Sequence, residues 1–199
     1  LQCAEQRHLR IDDQLRQHGG SVPESSATLR QVLSHTSAGA PAGSFHYDPE
    51  RYSQLTPVVE SCLPQPYRKS VAVNILERLA MRDSVPGRDL AQRTALTEPL
   101  FASEILERYQ QVLERIAIPY KVDKRGRSTR AELSLEGINA AGGLVTTVRD
   151  FARYDAALDE AVLLSEETLS VAWSNTISAD QTTIPTGLGW FVQSYKGEP

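Results

Sequence analysis

Thr28-Leu29-Arg30-Gln31-Val32-Leu33-Ser34-His35-Thr36-Ser37 holds a helix start, a helix body and a helix end in one short run. Thr followed three residues later by Gln is a capping box, in which each side chain can satisfy a free N–H at the helix entrance. Leu29, Val32 and Leu33 follow at helical spacing, so the pattern predicts a short amphipathic helix. The run then turns small from His35 through Gly43, which predicts a loop. Just beyond it, Phe45-His46-Tyr47-Asp48-Pro49-Glu50 is a second start signal. Asp48 can cap, Pro49 suits the first helical position, and Glu50 favours the positive end of the helix dipole. The helix it opens carries Tyr52, Leu55, Val58 and Val59, and Pro57 should kink it or shift its start.

Working outward, Gln2 to Gln17 reads as helix followed by a short polar connection, with Ile11-Asp12-Asp13 suiting a helix end or turn, and His18-Gly19-Gly20-Ser21-Val22-Pro23 reads as loop. Downstream, a helix is expected from Ser70 to Leu79, a turn at Asp83 to Gly87, and a long amphipathic helix from about Pro99 to Ile116. Phe101, Ile105, Leu106, Tyr109, Val112 and Leu113 form the apolar face of that helix. Ile118 to Val122 followed by Asp123-Lys124-Arg125-Gly126-Arg127 reads as a β-hairpin with a solvated basic turn. Helices are expected from Val148 to Leu158 and from Ser165 onward, and a strand from Gly187 to Tyr195.

The 199 residues fit one domain or one large piece of a bigger one. Hydrophobic residues make up 40% and charged residues 23%, which argues against wholesale disorder. No apolar run approaches the ~20 residues needed to span a bilayer. Lys and Arg number 21 against 25 Asp and Glu, a net charge of −4, so the electrostatic footprint of a general nucleic-acid binder is missing. Cys3 and Cys62 are the two cysteines, and they read as unpaired structural thiols, with one disulfide between them as the alternative in an oxidising compartment. No Cys/His spacing points to a metal and no glycine-rich loop to a phosphate, so no cofactor is expected. The chain opens on Leu1 without a signal-peptide pattern and closes on Gly197-Glu198-Pro199, and both ends read as cut.

There is no Gly-x-Ser-x-Gly elbow, no Ser-x-x-Lys and no Lys-Thr-Gly in the chain. The order of its blocks adds more. Leu29 to Ser37, the Tyr47 segment, Asn74 to Met81 with Ser84-Val85-Pro86, Ala140 to Ala152 with its glycine pair, and Gly187-Leu188-Gly189-Trp190 together resemble the serine β-lactamase-like hydrolases. That family includes class C β-lactamases, penicillin-binding proteins, esterases and D-amino-acid peptidases. The likeness covers about Leu9 to Tyr195. It implies a mainly α chain with a few β-strands (α+β), the helical region plus part of the sheet of a β-lactamase/transpeptidase-like fold. Leu1–Pro199 would then be a single domain, the central portion of that fold, with the Ser-x-x-Lys segment upstream and the Lys-Thr-Gly segment downstream.

By the same resemblance the complete protein is a serine hydrolase acting on an ester, amide or lactam through an acyl-enzyme. Tyr47 matches the proton-transferring tyrosine of the family's Tyr-x-Asn motif, and Pro49 stands where the motif has Asn. The alternative is a non-catalytic helical binding or interaction module derived from the fold. The expected partner is a small-molecule or peptide substrate, with no nucleic acid and no integral membrane segment. Self-association is expected if absent strands leave apolar faces exposed. The resemblance also implies a periplasmic or otherwise extracytoplasmic location.

Overall fold

The computed structural model describes residues 1–21, 26–38, 43–178 and 180–193. The loop readings at 22–25 and 39–42 and the end of the expected strand, Ser194-Tyr195, lie outside them.

The first helix, α1, spans Gln2–Glu5 and stops there, before the interruption expected at Ile11-Asp12-Asp13. Further on, Leu15 N–H donates to Ala27 O, Leu29 N–H to Asp13 O and Arg30 N–H to Ile11 O, so residues 11–15 turn against 27–30 with an isolated bridge between Gln14 and Thr28. A 3-10 turn at Leu15–His18 follows. Helix α2, Leu29–Leu33, is capped as its sequence requires. Thr28 Oγ1 accepts the Gln31 N–H at 3.2 Å, and Gln31 Oε1 accepts the Thr28 N–H at 3.0 Å. Pro49–Gln54 is a 3-10 turn leading into α3, Leu55–Cys62. Pro57 therefore sits in the first turn of α3, where a missing N–H costs no helical bond. Asp48 caps nothing with its side chain, which bonds Arg51 Nε at 3.2 Å instead.

Helix α4, Tyr67–Val71, runs into a wide π turn at Ala72–Glu77. The expected turn at 83–87 contains a two-residue strand, β1, Val85–Pro86. Helix α5 spans Ser103–Leu113, starting later than Pro99 because Phe101 and Ala102 are extended. Strands β2, Tyr120–Val122, and β3, Ser128–Arg130, form the expected hairpin. Next come β4, Leu144–Val145, and α6, Val148–Asp159. Helix α7, Glu166–Ala172, opens on Ser165, whose Oγ accepts the Thr168 N–H at 3.2 Å. The chain then forms β5, Thr176–Ile177, antiparallel to β6, Thr183–Ile184. Over Gly187–Gln193 the expected strand is instead a turn, bridged by Thr186 and Phe191, in which Gly187 N–H donates to Trp190 O at 2.8 Å.

Two compact units result. The first is Leu1–Tyr67, Asn139–Ala141 and Tyr154–Pro199; the second is Arg68–Ile138 and Gly142–Arg153. In the first, Cys3, Leu9, Leu15, Leu29, Val32 and Val58 make a continuous core. The two cysteines are disulfide-bonded across it, correcting the reading of free thiols. α1 and α3 bring their Cα atoms to 6.1 Å, within the span of a disulfide, which sequence spacing could not reveal.

In the second unit, Ala72, Val85, Leu90, Phe101, Leu106, Tyr109 and Val112 pack together, with Phe101 edge-on to Tyr109. β1 pairs antiparallel with β4. Of the glycine pair before β4, Gly143 is the constrained member. Its φ is +101°, and a Cβ there would collide with the Gly137 carbonyl, whereas Gly142 has open space. The fully buried Asp150 accepts from Asp83 N–H at 2.8 Å, from Ser84 Oγ at 2.9 Å and from the Arg153 guanidinium.

Two stability outcomes follow from these contacts. The disulfide closes a loop 59 residues long. A double Cys3→Ser, Cys62→Ser variant should lose about 2–4 kcal/mol in urea unfolding, and dithiothreitol should act alike on the parent. Asp150→Ala removes the acceptor of the Asp83 N–H, of the Ser84 hydroxyl and of the Arg153 guanidinium from a fully buried position, and should cost about 3 kcal/mol by the same measurement.

Candidate functional site

The end of α2 organises the region around Tyr47. An α-helix leaves its last carbonyls without helical partners. Here Leu33 O accepts the Tyr52 hydroxyl at 2.8 Å and the Gly189 N–H at 3.0 Å, and Ser34 O accepts the Thr186 hydroxyl at 3.3 Å. Two segments distant in sequence, the 49–54 turn and the 186–191 turn, are thereby fixed to one helix end. Within the helix terminus, Thr36 N–H reaches back to Gln31 O at 2.8 Å and His35 N–H to Val32 O at 3.2 Å. That is the Schellman pattern, and it puts His35 in the left-handed region, φ 57°. A non-glycine residue there costs roughly 1 kcal/mol, and His is among the side chains that tolerate it best.

The left-handed turn drives the His35 imidazole into the protein, where it is stacked on Tyr52 at 4.8 Å and tilted against Tyr47 at 4.7 Å. Phe45 meets it edge-on at 6.1 Å. His35 Nδ1 accepts the Asp48 N–H at 3.3 Å, and His35 O accepts the His46 N–H at 2.8 Å. Residues 46–48 are therefore clipped to His35 from both sides, which fixes the Tyr47 backbone. An accepting Nδ1 means a neutral ring with its proton on Nε2. Burial, the dominant cause, pushes the imidazole pKa below its ordinary 6.5, against a smaller opposing pull from Asp48.

The two tyrosines on this imidazole differ in what their hydroxyls can do. Tyr52 is spent on Leu33 O, and burial first, then the neighbouring Tyr47, pushes its pKa up to about 12. It stays a protonated, structural donor. Tyr47 is 53% exposed, and its hydroxyl has no hydrogen-bond partner among the described residues. Its ring also meets Phe191 at 5.8 Å. Phe191 in turn lines an open cleft of about 860 Å³ together with Trp173 and Trp190. Tyr47 itself does not line that cleft.

Tyr47 was the residue singled out from sequence. His35, Tyr52 and Phe191 were not, although all three lie within patterned stretches of the sequence; a ring stack across a left-handed turn has no spacing signature. His18-Gly19-Gly20, which looks like a donor-rich loop, is a closing turn. Gly20 N–H returns to Leu15 O at 3.2 Å and His18 pairs with Asp13 at 3.0 Å. Among the described residues no group of His, Cys, Asp and Glu could hold a metal ion.

The His35 environment sets a pH dependence. The unfolded imidazole takes up its proton near 6.5, while the folded one resists it to lower pH, so stability conferred above 6.5 is lost as pH falls below it. Urea midpoints at about pH 7.5 and about pH 5.5 should show that loss. His35→Asn, which also tolerates positive φ, should weaken the dependence. An unchanged difference between the two pH values would remove His35 as its source.

Comparison with known proteins places this geometry. No curated protein matches the chain in sequence. Among solved structures it is similar to a penicillin-binding protein from Bacillus halodurans, with a TM-score of 0.70, 20% identity, and coverage of 99% of this chain and 65% of that one. An octameric penicillin-binding protein homologue from Pyrococcus abyssi gives 0.67 and 20%, covering 94% and 48%. A D-stereospecific amidohydrolase from Streptomyces sp. gives 0.65 and 19%, covering 94% and 65%. At these identities the likeness concerns the fold, which is β-lactamase/transpeptidase-like. The chain spans about two thirds of the first relative's length and about half of the second's. The Beta-lactamase family model matches residues 1–199, and the chain belongs to that family.

Proposed function

We propose that the complete protein is a serine hydrolase of the β-lactamase-like class that opens an ester, amide or lactam through an acyl-enzyme, with Tyr47 in proton transfer. In this reading residues 1–199 are the central portion of one domain. The Ser-x-x-Lys helix and the Lys-Thr-Gly or His-x-Gly strand come from sequence outside them. The serine Oγ bonds to the substrate carbonyl carbon while its proton passes to the lysine and Tyr47 pair. The same pair hands that proton to the departing amine or alcohol as the C–N or C–O bond breaks. Water then attacks the acyl carbon, gives its proton to the pair, and the serine regains one as it leaves. Backbone N–H groups aimed at the carbonyl oxygen stabilise the oxyanion in both steps.

What carries the reading is the contrast between Tyr52 and Tyr47. Of two hydroxyls beside one buried imidazole, the one matching the family motif is the one left uncommitted and half-exposed. The Streptomyces relative's description as an amidohydrolase supports amides within the substrate class. The octameric state of the Pyrococcus relative supports self-association. The Cys3–Cys62 disulfide supports an extracytoplasmic compartment, because cytosolic thiols are kept reduced. One observation favours an esterase-like or peptidase-like member over a true β-lactamase. Pro49 has no side-chain amide, so it cannot hold a lysine or a substrate carbonyl as Asn would.

Tyr47→Phe in the complete protein separates the readings. It keeps the ring on His35 and Phe191 and removes the hydroxyl. Turnover of an ester or amide should fall by about 10²–10⁴ with the melting temperature unchanged. Intact mass after a fluorophosphonate should show one adduct on the parent protein. No adduct and no turnover would leave the binding module as the function.

A further inference from the structure

Two surfaces of opposite charge stand out. The first is the β2–β3 hairpin and its flanks. Between Ile118 and Leu135 lie Lys121, Lys124, Arg125, Arg127 and Arg130 against Asp123 and Glu132, in a chain that is acidic overall. Asp123 is already engaged: its carboxylate accepts from the Arg125 and Arg127 N–H groups and from Arg127 Nε at 2.8 Å. Lys121, Lys124, Arg125 and Arg130 have no ion-pair partner among the described residues. Both strands are exposed along their full length. The pleat puts Tyr120 and Val122 on one face, 59% and 68% exposed, with Arg130 directly opposite Tyr120.

The second surface lies in the first unit. Residues 154–193 carry Asp155, Asp159, Glu160, Glu166, Glu167 and Asp180 and not one Lys, Arg or His. Within this segment is the open cleft of about 860 Å³ floored by Trp173 and Trp190, which meet edge-on at 6.4 Å. Its wall includes Asp159 and Glu166, both exposed and neither ion-paired among the described residues.

We propose that the β2–β3 hairpin of one copy docks in the Trp173–Trp190 cleft of a second copy. This deepens the self-association reading by naming the two surfaces that make it. The match is double. Tyr120, Val122 and Arg130 present an aromatic, an apolar and a cationic group on one face, and the cleft offers indole rings beside carboxylates, so apolar burial and cation–π contact act together. Lys124 and Arg125 at the hairpin tip meet the Asp159 and Glu166 charges, which steers encounter and fixes orientation. Each copy donates one hairpin and receives another.

Sedimentation velocity on the protein tests this between about 0.01 M and about 1 M salt, over which the screening length falls from about 30 Å to about 3 Å. Concentration-dependent association at low salt, lost at high salt, is expected. Lys124→Glu with Arg125→Glu, and separately Asp159→Lys with Glu166→Lys, should each weaken it by about tenfold or more. Mixing the two variants should restore association, which also shows that both are folded. A protein that stays monomeric throughout overturns self-association itself. Association that ignores salt and both charge reversals overturns this pair of surfaces alone. If reversal at the hairpin instead abolishes binding to anionic lipid vesicles and leaves self-association intact, the hairpin belongs to a membrane surface and the proposal is wrong.

Discussion

The carbonyls at the C-terminal end of α2 are the point on which the first unit depends. A five-residue helix cannot be stable by propensity alone, since nucleation is costly and only a few bonds follow. Its ends must be satisfied by other parts of the chain. The Thr28–Gln31 box closes the entrance, and Leu33 O and Ser34 O at the exit recruit Tyr52, Gly189 and Thr186. Those bonds bring the Tyr47 segment and the Phe191 turn to the same place. The site is in this sense a by-product of capping a short helix.

His35 converts that helix end into chemistry. A glycine would have closed the Schellman turn without strain, but it would have placed no ring between Tyr47 and Tyr52. The imidazole uses its Nδ1 and its carbonyl to hold residues 46–48, so Tyr47 is positioned by backbone while its hydroxyl stays free. The proton transfer proposed for Tyr47 requires a hydroxyl not consumed by the fold, whereas the Tyr52 hydroxyl is committed to Leu33 O. The same division appears in the second unit. There the fully buried Asp150 accepts from Asp83, Ser84 and Arg153, and its carboxylate is committed to the fold.

Some elements were visible in the residue pattern and others were not. The capping box at Thr28, the start at Ser165, the hairpin turn around Asp123 and the amphipathic body of α5 all follow from local rules. Each depends on neighbours within four residues, and a sequence displays these directly. The misreadings share a different cause. The first helix is only Gln2–Glu5, and residues 11–15 bond to 27–30 instead. Gly187 to Gln193 became a turn because Leu33 O was waiting for Gly189. Cys3 met Cys62 because α1 and α3 share a core.

The sequence by itself determined the helical character and the family, because caps, apolar periodicity and the order of motif blocks are properties of the chain read in one dimension. Only the tertiary structure decided that the two cysteines pair, that His35 is the hub of the aromatic cluster, and that Tyr52 is committed while Tyr47 is not. Those outcomes depend on which distant carbonyl or sulfur arrives within bonding distance. That distance is set by how the cores close, and spacing along the chain does not encode it.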